Sequence, residues 1–221
     1  MTAPAHPPVV TLAALYGAAG SVIGPRVAQR LGVPLLDREI PDFAAKQAGL
    51  SPKAVASVDE EPRGGIDRLV STLGRAATMS GGTGGATEHL DLQERRLRGY
   101  IEEFLARSIG SGGVTVGRGG MVVLRSVPWA LHVHLGGPRD ARIEQRMAIE
   151  GIDRDTAERR QEVEDRSRMS YVRRNYGVDG ADPGLYHLML DSTALSADAC
   201  VEIIAAASRD RTQNPKRSEP A

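Results

Sequence analysis

Short apolar runs alternate with longer amphipathic segments over most of the chain. The apolar runs predict five strands, at residues 9–15, 33–36, 113–116, 130–135 and 186–190. Each run is followed by residues with helical periodicity, at about 20–31, 38–48, 119–125, 138–150 and 197–208. Nearly continuous apolar strands that alternate with helices are typical of a parallel sheet covered on both faces. The pattern therefore predicts a three-layer α/β protein.

Two regions interrupt this alternation within a predicted domain of residues 9–208. Residues of about 50–110 contain helical patterns without a convincing strand, which predicts a helical insertion. A charged helical stretch within about 151–176 separates the fourth strand from the fifth and predicts a helical lid. The polar, proline-containing ends, residues 1–8 and 209–221, are expected to be disordered.

Composition narrows the possible partners and the compartment. The 221 residues contain 28 acidic and 28 basic side chains, and this balance argues against binding to nucleic acid polymers or to membrane surfaces. The chain has no apolar stretch of membrane-spanning length and no basic, apolar leader, so we expect a cytoplasmic protein. The single cysteine, Cys200, excludes an internal disulfide and is expected to be a buried thiol. No cluster of metal ligands is evident, and the sequence leaves the oligomeric state open.

A glycine-rich turn follows the first predicted strand and precedes the first predicted helix. We call residues 17–21 of the stretch YGAAGSVIG the glycine turn. Such a turn lets backbone N–H groups approach a phosphate, and the following helix contributes the positive end of its dipole. However, Ser21 stands where a phosphate-binding turn of the Walker A type has lysine. Pattern alone leaves two interpretations open, a phosphate site and a plain strand-to-helix turn.

Several later segments, in a fixed order, are more specific than the glycine turn. They are GRGG at 117–120, HVHLGGPRDARIEQR at 132–146, EDRSRMSY at 164–171, NYGVD at 175–179 and YHLMLDST at 186–193. Together with the stretch around the glycine turn, they resemble the cytidylate kinase-like family over most of residues 9–205. The resemblance is weakest through the region of about 50–110.

The resemblance implies a P-loop NTPase-type three-layer fold with a parallel sheet, a helical monophosphate-binding insertion and a helical lid. It also implies transfer of the γ-phosphoryl group from ATP, bound with Mg²⁺, to a nucleoside monophosphate, with a pyrimidine such as CMP or dCMP as the expected acceptor. This reaction requires two anions to be aligned, growing charge to be neutralised and water to be excluded.

The same resemblance assigns site residues. It places the ATP phosphates on Gly17, Ala18, Ala19, Gly20 and Ser21. It places the acceptor nucleotide on Asp37, Arg118, Asp165 and Arg168, and it makes Arg118 and Arg168 catalytic. Each assignment has a structural alternative: Asp37 as a helix N-cap, Arg118 as a surface arginine, and Asp165 with Arg168 as a surface ion pair on one helix face.

The sequence also departs from the family pattern at three positions. Members of the family usually have Tyr-Gly-Ser-Gly-Gly-Arg-Glu, so Ser21 replaces an arginine. Gly119 replaces the aspartate that follows Gly-Arg in cytidylate kinase, and Gln161 replaces an arginine four residues before Asp165. These departures support a second hypothesis, a catalytically weak or inactive nucleotide-binding pseudokinase that acts as a sensor or an interaction protein.

Four further side chains have simpler expectations. Arg142 and Arg146 share a helix face and are expected to be solvated. His132 and His134 alternate on the fourth predicted strand, so both point to one face of the sheet. Without a third metal ligand, packing or a structural hydrogen bond explains the two histidines best. Residues 191–193, after the last strand, are expected near the adenine side of a donor site.

Overall fold

A computed structural model describes residues 6–36, 86–117 and 119–215. The chain divides into two compact units, Asp37–Arg107 and a unit formed by Met1–Leu36 with Ser108–Ala221. In the unit Asp37–Arg107 the structure describes the helix Ala86–Ser108. It lies within the region where the sequence predicts a helical insertion. The predicted helix at 38–48 and the site residues Asp37 and Arg118 lie outside the described residues.

The second unit is built on a parallel sheet. Its strands are β1 (Val9–Ala14), β2 (Gly113–Val116), β3 (Ala130–Gly136) and β4 (Leu188–Asp191). Their order is β2-β1-β3-β4, and every neighbouring pair is parallel. Four of the five predicted strands are therefore confirmed, with ends that shift by one or two residues.

The fifth predicted strand, at 33–36, is reduced to an isolated bridge. Leu35 pairs with Val114 in parallel, and the carbonyl of Pro34 accepts the Val114 N–H at 2.9 Å. Pro34 has no N–H group of its own to donate, so a continuous ladder cannot extend through it. The segment nevertheless lies beside β2, at the edge of the sheet.

Six helices accompany the strands in the described residues. They are α1 (Gly20–Leu31), α2 (Ala86–Ser108), α3 (Gly120–Val123), α4 (Arg139–Glu150), α5 (Arg154–Tyr176) and α6 (Ala197–Gln213). A 3₁₀ turn at Pro183–Leu185 precedes β4. None of these helices combines the length and the apolar character needed to cross a bilayer.

Alternation along β1 places helices on both faces of the sheet. Val10 and Leu12 belong to the core that is shared with residues of α1 and α6, such as Ile23 and Ile204. Thr11 points to the opposite face, where a Cβ built on Gly120 of α3 would lie 3.1 Å from its methyl group. The core side also contains the fully buried Cys200 thiol, as expected from the sequence. The predicted three-layer arrangement is therefore confirmed.

Helix α1 packs unusually close to the sheet because two of its residues are glycines. A Cβ on Gly24 would lie 2.6 Å from Cγ2 of Val116, and a Cβ on Gly20 would lie 2.5 Å from Cβ of Ala14. Real Cβ atoms do not approach this closely, so side chains at these positions would push the helix away. The glycines therefore hold the amino end of α1 directly against the end of β1.

The first described residues are attached to the sheet. The ring of His6 stacks on Trp129 with ring centroids 3.8 Å apart, and the carbonyl of Pro8 accepts the Gly113 N–H at 2.9 Å. The sequence predicts disorder through residue 8, and this is wrong for residues 6–8. The composition of this short segment gives no indication of the ring contact with Trp129 or of the hydrogen bond to Gly113.

At the other end, helix α6 continues past the predicted boundary at residue 208. Ser208 and Thr212 extend its buried face and are almost fully inaccessible to solvent. Arg211 donates from Nε to the Ala130 carbonyl at 2.8 Å and from Nη2 to the Pro128 carbonyl at 2.7 Å. The prediction of disorder for residues 209–213 is therefore wrong, because polar side chains here bind backbone at the start of β3.

The two histidines of β3 have structural partners. Nδ1 of the buried His132 lies 2.9 Å from Oγ1 of Thr11, and its ring stacks on His187 with centroids 4.9 Å apart. Burial, with further contributions from nearby cations, lowers the pKa of His132 to about 3. His134 packs edge-on against Tyr186, and burial lowers its pKa as well. The expected structural hydrogen bond is confirmed for His132.

Candidate functional site

The candidate site lies where the parallel strands end. Because the strands run in the same direction, their carboxyl ends lie at one end of the sheet. The segments that follow β1, β3 and β4 begin there, as does Gly117 after β2. Open parallel sheets bind their ligands at the carboxyl ends of the strands. The glycine turn connects β1 to α1 at this end, so its position is set by the sheet itself.

The glycine turn contains two residues in the left-handed backbone conformation. Gly17 has a φ of 78° and Ala19 a φ of 53°, both in the left-handed region. Ala19 pays a penalty of roughly 1–2 kcal/mol for this conformation, so the surrounding packing must impose it. Within the described residues, the N–H groups of Gly17, Ala19, Gly20 and Ser21 find no protein acceptor. Four backbone donors at a helix N-terminus are suited to bind phosphate oxygens.

Two hydrogen bonds fix the middle of the turn. The N–H of Ala18 donates to the Leu15 carbonyl at 3.0 Å. Oγ of Ser192, just after β4, donates to the Ala18 carbonyl at 2.9 Å and lies 3.2 Å from the Gly136 carbonyl at the end of β3. Ser192 thus links the glycine turn to two other strand ends. The sequence placed residues 191–193 near the donor site but did not foresee this contact.

The turn lacks the cation that the family pattern places at its end. Ser21 is exposed, and the first turn of α1 contains no charged side chain. The nearest arginine along the helix, Arg26, forms an ion pair with Asp198 of α6. Arg26 is therefore engaged between helices and does not replace the missing cation.

Helix α5 brings two predicted site residues to the glycine turn. Oδ1 of Asp165 accepts the N–H of Tyr16, the residue before the turn, at 2.8 Å. Nη1 of Arg168 donates to the carbonyl of Ala14, the last residue of β1. The alternative interpretation, a surface ion pair between Asp165 and Arg168, does not match the described contacts, because Arg168 pairs with Glu164 at 3.1 Å and Asp165 pairs with Arg142. Both residues are thus located beside the glycine turn.

Helix α4 contributes an arginine that the sequence misjudged. Arg142 is buried, with 6% of its surface exposed, although it was expected to be solvated. Its Nη1 donates to the Tyr16 carbonyl at 2.6 Å and to Oδ2 of Asp165 at 2.9 Å. The main chain of Arg142 also touches Gly17, whose hypothetical Cβ would lie 2.7 Å from the Arg142 carbonyl carbon. Burial is tolerated because carbonyl and carboxylate oxygens satisfy the guanidinium.

Arg146, one turn later on α4, is partly buried rather than solvated. Its guanidinium lies 5.1 Å from the centroid of the Tyr16 ring and pairs with Glu150 at 2.5 Å. Burial raises the pKa of Tyr16, and the nearby Arg146 opposes that increase. The buried ring of Tyr16 thus packs against Arg146 of α4.

A signal for this arrangement was present in the sequence. Arg139, Arg142 and Arg146 form one stripe along α4, and Gln161, Asp165 and Arg168 form another along α5. The stripes meet, because Nε of Arg139 donates to Oε1 of Gln161 at 3.0 Å and Nε2 of Gln161 donates to Oδ2 of Asp165 at 2.8 Å. Such polar stripes on consecutive helices are also typical of solvated, salt-bridged faces, so the sequence alone does not indicate burial. The pairing itself could not be chosen without the fold.

One departure from the family pattern has a steric counterpart. Gly119 has a φ of 66°, and a Cβ at this position would clash with the ring of Tyr176. An aspartate at position 119 would therefore require the Tyr176 ring to move. Arg118, its neighbour, and Asp37 cannot be placed, since both lie outside the described residues. The described residues contain no group of three or more potential metal ligands.

Comparison with solved structures concerns the fold. A crystal structure of an uncharacterized protein from Eubacterium ventriosum ATCC 27560 is similar over 92% of this chain and 99% of its own, with a TM-score of 0.64 and 17% sequence identity. A shikimate kinase from Acinetobacter baumannii in complex with shikimate is more distant, with a TM-score of 0.43, 14% identity and coverage of 89% and 90%. The first likeness supports the fold alone.

Sequence comparison identifies the family. A cytidylate kinase from Methanopyrus kandleri is 36% identical over 77 residues, which make up 35% of this chain and 40% of that protein. The model of the cytidylate kinase-like family matches residues 9–194, which include the glycine turn, the strand ends around it and both polar helices. This chain therefore belongs to the cytidylate kinase-like family.

Proposed function

We propose that this protein transfers the γ-phosphoryl group of ATP to a nucleoside monophosphate, with a pyrimidine such as CMP or dCMP as the expected acceptor. The observation that supports this most directly is the glycine turn, a helix N-terminus with backbone donors that no described protein group accepts. Family membership and the position of Arg168 beside the turn support a kinase rather than a simple anion site. A cytoplasmic location, where ATP is abundant, belongs to the same proposal.

In this proposal the donor phosphates lie on residues 17–21. Backbone N–H groups and the dipole of α1 supply most of the attraction, since Ser21 offers only a hydroxyl. Mg²⁺ bound with the nucleotide would supply neutralisation of charge on the phosphate oxygens. The chain itself orients the phosphates and limits the access of water.

Arg168 is the described cation best placed to compensate for Ser21. Its guanidinium binds the last residue of β1. A guanidinium has more N–H donors than the two that bind Ala14 and Glu164, so others are left for a ligand. Side-chain exposure of 49% leaves it accessible to a nucleotide. Arg168 would stabilise charge that develops on the transferred group, a contribution that catalytic donors make at about 3–4 kcal/mol.

The acceptor nucleotide is proposed to lie between α5 and the segment after β2. Arg118 and Asp37 are assigned to it from the family resemblance alone. Asp165 already accepts three hydrogen bonds, from Tyr16, Arg142 and Gln161. A carboxylate has about four acceptor positions, so Asp165 has one left for a ribose hydroxyl. Since position 119 is glycine and offers no carboxylate, the acceptor base is proposed to be selected mainly by shape.

A panel of nucleoside monophosphates with Mg²⁺ and ATP tests this function, with ADP formation as the measurement. We expect turnover with CMP, dCMP or UMP, and a decrease of about a hundred- to a thousandfold in Arg118→Ala and Arg168→Ala. Arg166→Ala is the matched control, because Arg166 lies on the same helix and pairs only with the exposed Glu162 among the described contacts.

The missing cation favours one alternative, a pseudokinase that binds nucleotide without efficient transfer. Nucleotide-dependent thermal stabilisation without ADP formation would support this alternative and overturn the kinase. Absence of both stabilisation and turnover would overturn nucleotide binding altogether. The acceptor panel and the binding measurement therefore have to be performed on the same preparation.

A further inference from the structure

Three elements meet at a buried ion pair between Arg142 of α4 and Asp165 of α5. The side chains are 7% and 16% exposed, and Nη1 of Arg142 lies 2.9 Å from Oδ2 of Asp165. Most other ion pairs of these two helices are at the surface, such as Arg166 with Glu162. A pair that is withdrawn from solvent needs further hydrogen bonds to offset its desolvation. These bonds show what the pair holds.

Both peptide groups that flank the Cα atom of Tyr16 are bound by the pair. Asp165 accepts the N–H of Tyr16 at 2.8 Å, and Arg142 donates to the carbonyl of Tyr16 at 2.6 Å. Nε of Arg142 also donates to the Gly137 carbonyl at 3.1 Å, which joins the end of β3 to the same centre. The residue immediately before the glycine turn is thus fixed on both sides by charged groups.

Gly17, the first residue of the turn, is fixed by the same helix. Its backbone is in direct contact with the Arg142 main chain, and a side chain at position 17 would overlap that carbonyl. Any shift of α4 or loss of the Arg142 guanidinium would therefore change where the N–H groups of the turn point. Helix α5 is attached to the residue before the turn through Asp165, and Arg168 lies three residues after Asp165 on the same helix.

We propose that Arg142 and Asp165 act as a positioning pair that sets the backbone of the glycine turn and ties it to helix α5. The proposal rests on the proposed phosphate-binding function of the turn. Neither residue has to touch the ATP phosphates for this role, because each acts through the Tyr16 peptide groups. Coupling the turn to α5 would bring Arg168 and the backbone donors into register with each other, and misplacement by about 1 Å can reduce a rate about a hundredfold.

The test compares Arg142→Met, Arg142→Lys, Asp165→Asn and the Arg142→Met/Asp165→Asn double variant with the unmodified protein. Arg166→Met is the matched control, since it removes an arginine from α5 without touching Tyr16. Calorimetric titration with Mg²⁺ and a non-hydrolysable ATP analogue gives the donor affinity, and ADP formation gives kcat and KM for CMP. Amide hydrogen exchange at Tyr16, without nucleotide, reports the turn directly.

We expect Arg142→Met to weaken binding of the ATP analogue by about tenfold or more and to lower kcat by about a hundredfold, while KM for CMP changes by less than about threefold. Exchange at the Tyr16 amide should accelerate by about tenfold, relative to core amides of β1. Arg142→Lys should recover part of each loss, because it keeps the charge but not the fork of donors. The double variant should be no worse than the worse single variant, since the two residues act as one unit.

If the folded variants bind the ATP analogue with the affinity of the wild-type protein, and if their kcat and Tyr16 exchange are also unchanged, the positioning role of the pair is overturned. This holds even if the variants are less stable. Failure of the wild-type protein to bind the ATP analogue would overturn the proposed function instead. In that case Tyr16 exchange still decides the positioning role, which predicts faster exchange in Asp165→Asn and Arg142→Lys. If Arg142→Met does not fold, those two conservative variants decide every measurement.

Discussion

At the scale of single residues, the proposed phosphate site at the glycine turn depends on few side chains. Its donors are backbone N–H groups, and its shape depends on left-handed conformations at Gly17 and Ala19. Ser21 contributes no charge, so the local field comes from the α1 dipole and from Arg168. Two substitutions separate the contribution of charge from that of shape.

Replacement of Ser21 by arginine should restore the missing cation. We expect Ser21→Arg to raise kcat for the preferred acceptor by about a hundred- to a thousandfold, because a donor aimed at the transferred phosphate stabilises developing charge. Steady-state ADP formation is the measurement. Gln29→Arg, an exposed position on the same helix, is the control for added charge. An unchanged rate in Ser21→Arg would show that the absent cation does not limit catalysis.

Replacement of Gly17 by alanine tests the shape of the turn. Gly17→Ala should lower the free energy of unfolding by about 3 kcal/mol or more, because it combines a positive φ with overlap on the Arg142 carbonyl. Gly32→Ala is the matched control, since Gly32 has a φ of 68° and nothing within 4 Å of its hypothetical Cβ. The control should cost about 1–2 kcal/mol. Urea unfolding measures both, and equal losses would contradict the close contact.

At the scale of elements, periodicity predicted helices and strands well but misjudged their ends. The β1 to α1 connection, β2 and the start of β3 agree with the sequence, because apolar runs bounded by glycine or proline leave few alternatives. The end of α6 does not agree. Its last turn is polar, and its partners are backbone carbonyls that no local pattern announces.

Arg211 provides the test of that last turn. Arg211→Met should lower the free energy of unfolding by about 1.5–3 kcal/mol, because the carbonyls of Pro128 and Ala130 lose a charged donor. Arg166→Met, at an exposed site, should change it by less than about 0.5 kcal/mol. Urea unfolding followed by circular dichroism is the measurement. A loss as small as the control's would mean that α6 is held by its apolar face alone.

The helical insertion and the lid are also element-scale predictions. Helix α2 lies in the predicted insertion, and α5 lies in the predicted lid at 151–176. Helix α5 is mostly polar and exposed, with Ala157, Gln161 and Val172 as its buried residues. Its described hydrogen bonds with α4 are made through polar side chains, such as Gln161 with Arg139 and Asp165 with Arg142. Movement of α5 as a lid, which stays a proposal, would require these polar contacts to open, including the buried pair of Arg142 and Asp165.

At the scale of the whole molecule, the buried histidine of the sheet makes stability depend on pH. The pKa of His132 is lowered to about 3, mainly by burial. The charges of His187, Arg211 and Arg125 lower it further. The unfolded chain therefore binds a proton near its ordinary pKa of about 6.5 while the folded chain does not. Stability is complete above about pH 6.5 and is lost as the pH falls from there towards about 3.

We expect the free energy of unfolding to fall by up to about 1.4 kcal/mol for each pH unit below 6.5 through His132. Urea unfolding between pH 7.5 and pH 5 is the measurement, because most carboxylates remain ionised in that range. His132→Gln, which keeps a polar partner for Thr11, should reduce the difference. The part that is left comes from His134 and His187, whose pKa values burial also lowers. The same slope in the variant would show that other groups cause the dependence.

Much of this protein was determined by the sequence itself. The parallel three-layer fold, the glycine turn after β1 and the family follow from short-range patterns, since strand and helix periods and glycine positions are local properties. Asp165 and Arg168 were also found in sequence, through the resemblance, and the structure brings both to the turn.

The tertiary structure alone decided the polar centre behind the turn. Arg142 is charged, and locally it resembles a solvated residue, yet it becomes buried because acceptors from three other segments converge on it. Those acceptors, Tyr16, Gly137 and Asp165, are separated by up to 149 residues along the chain. The cost of burying a charge depends on partners brought together only by folding, so no local pattern can report it.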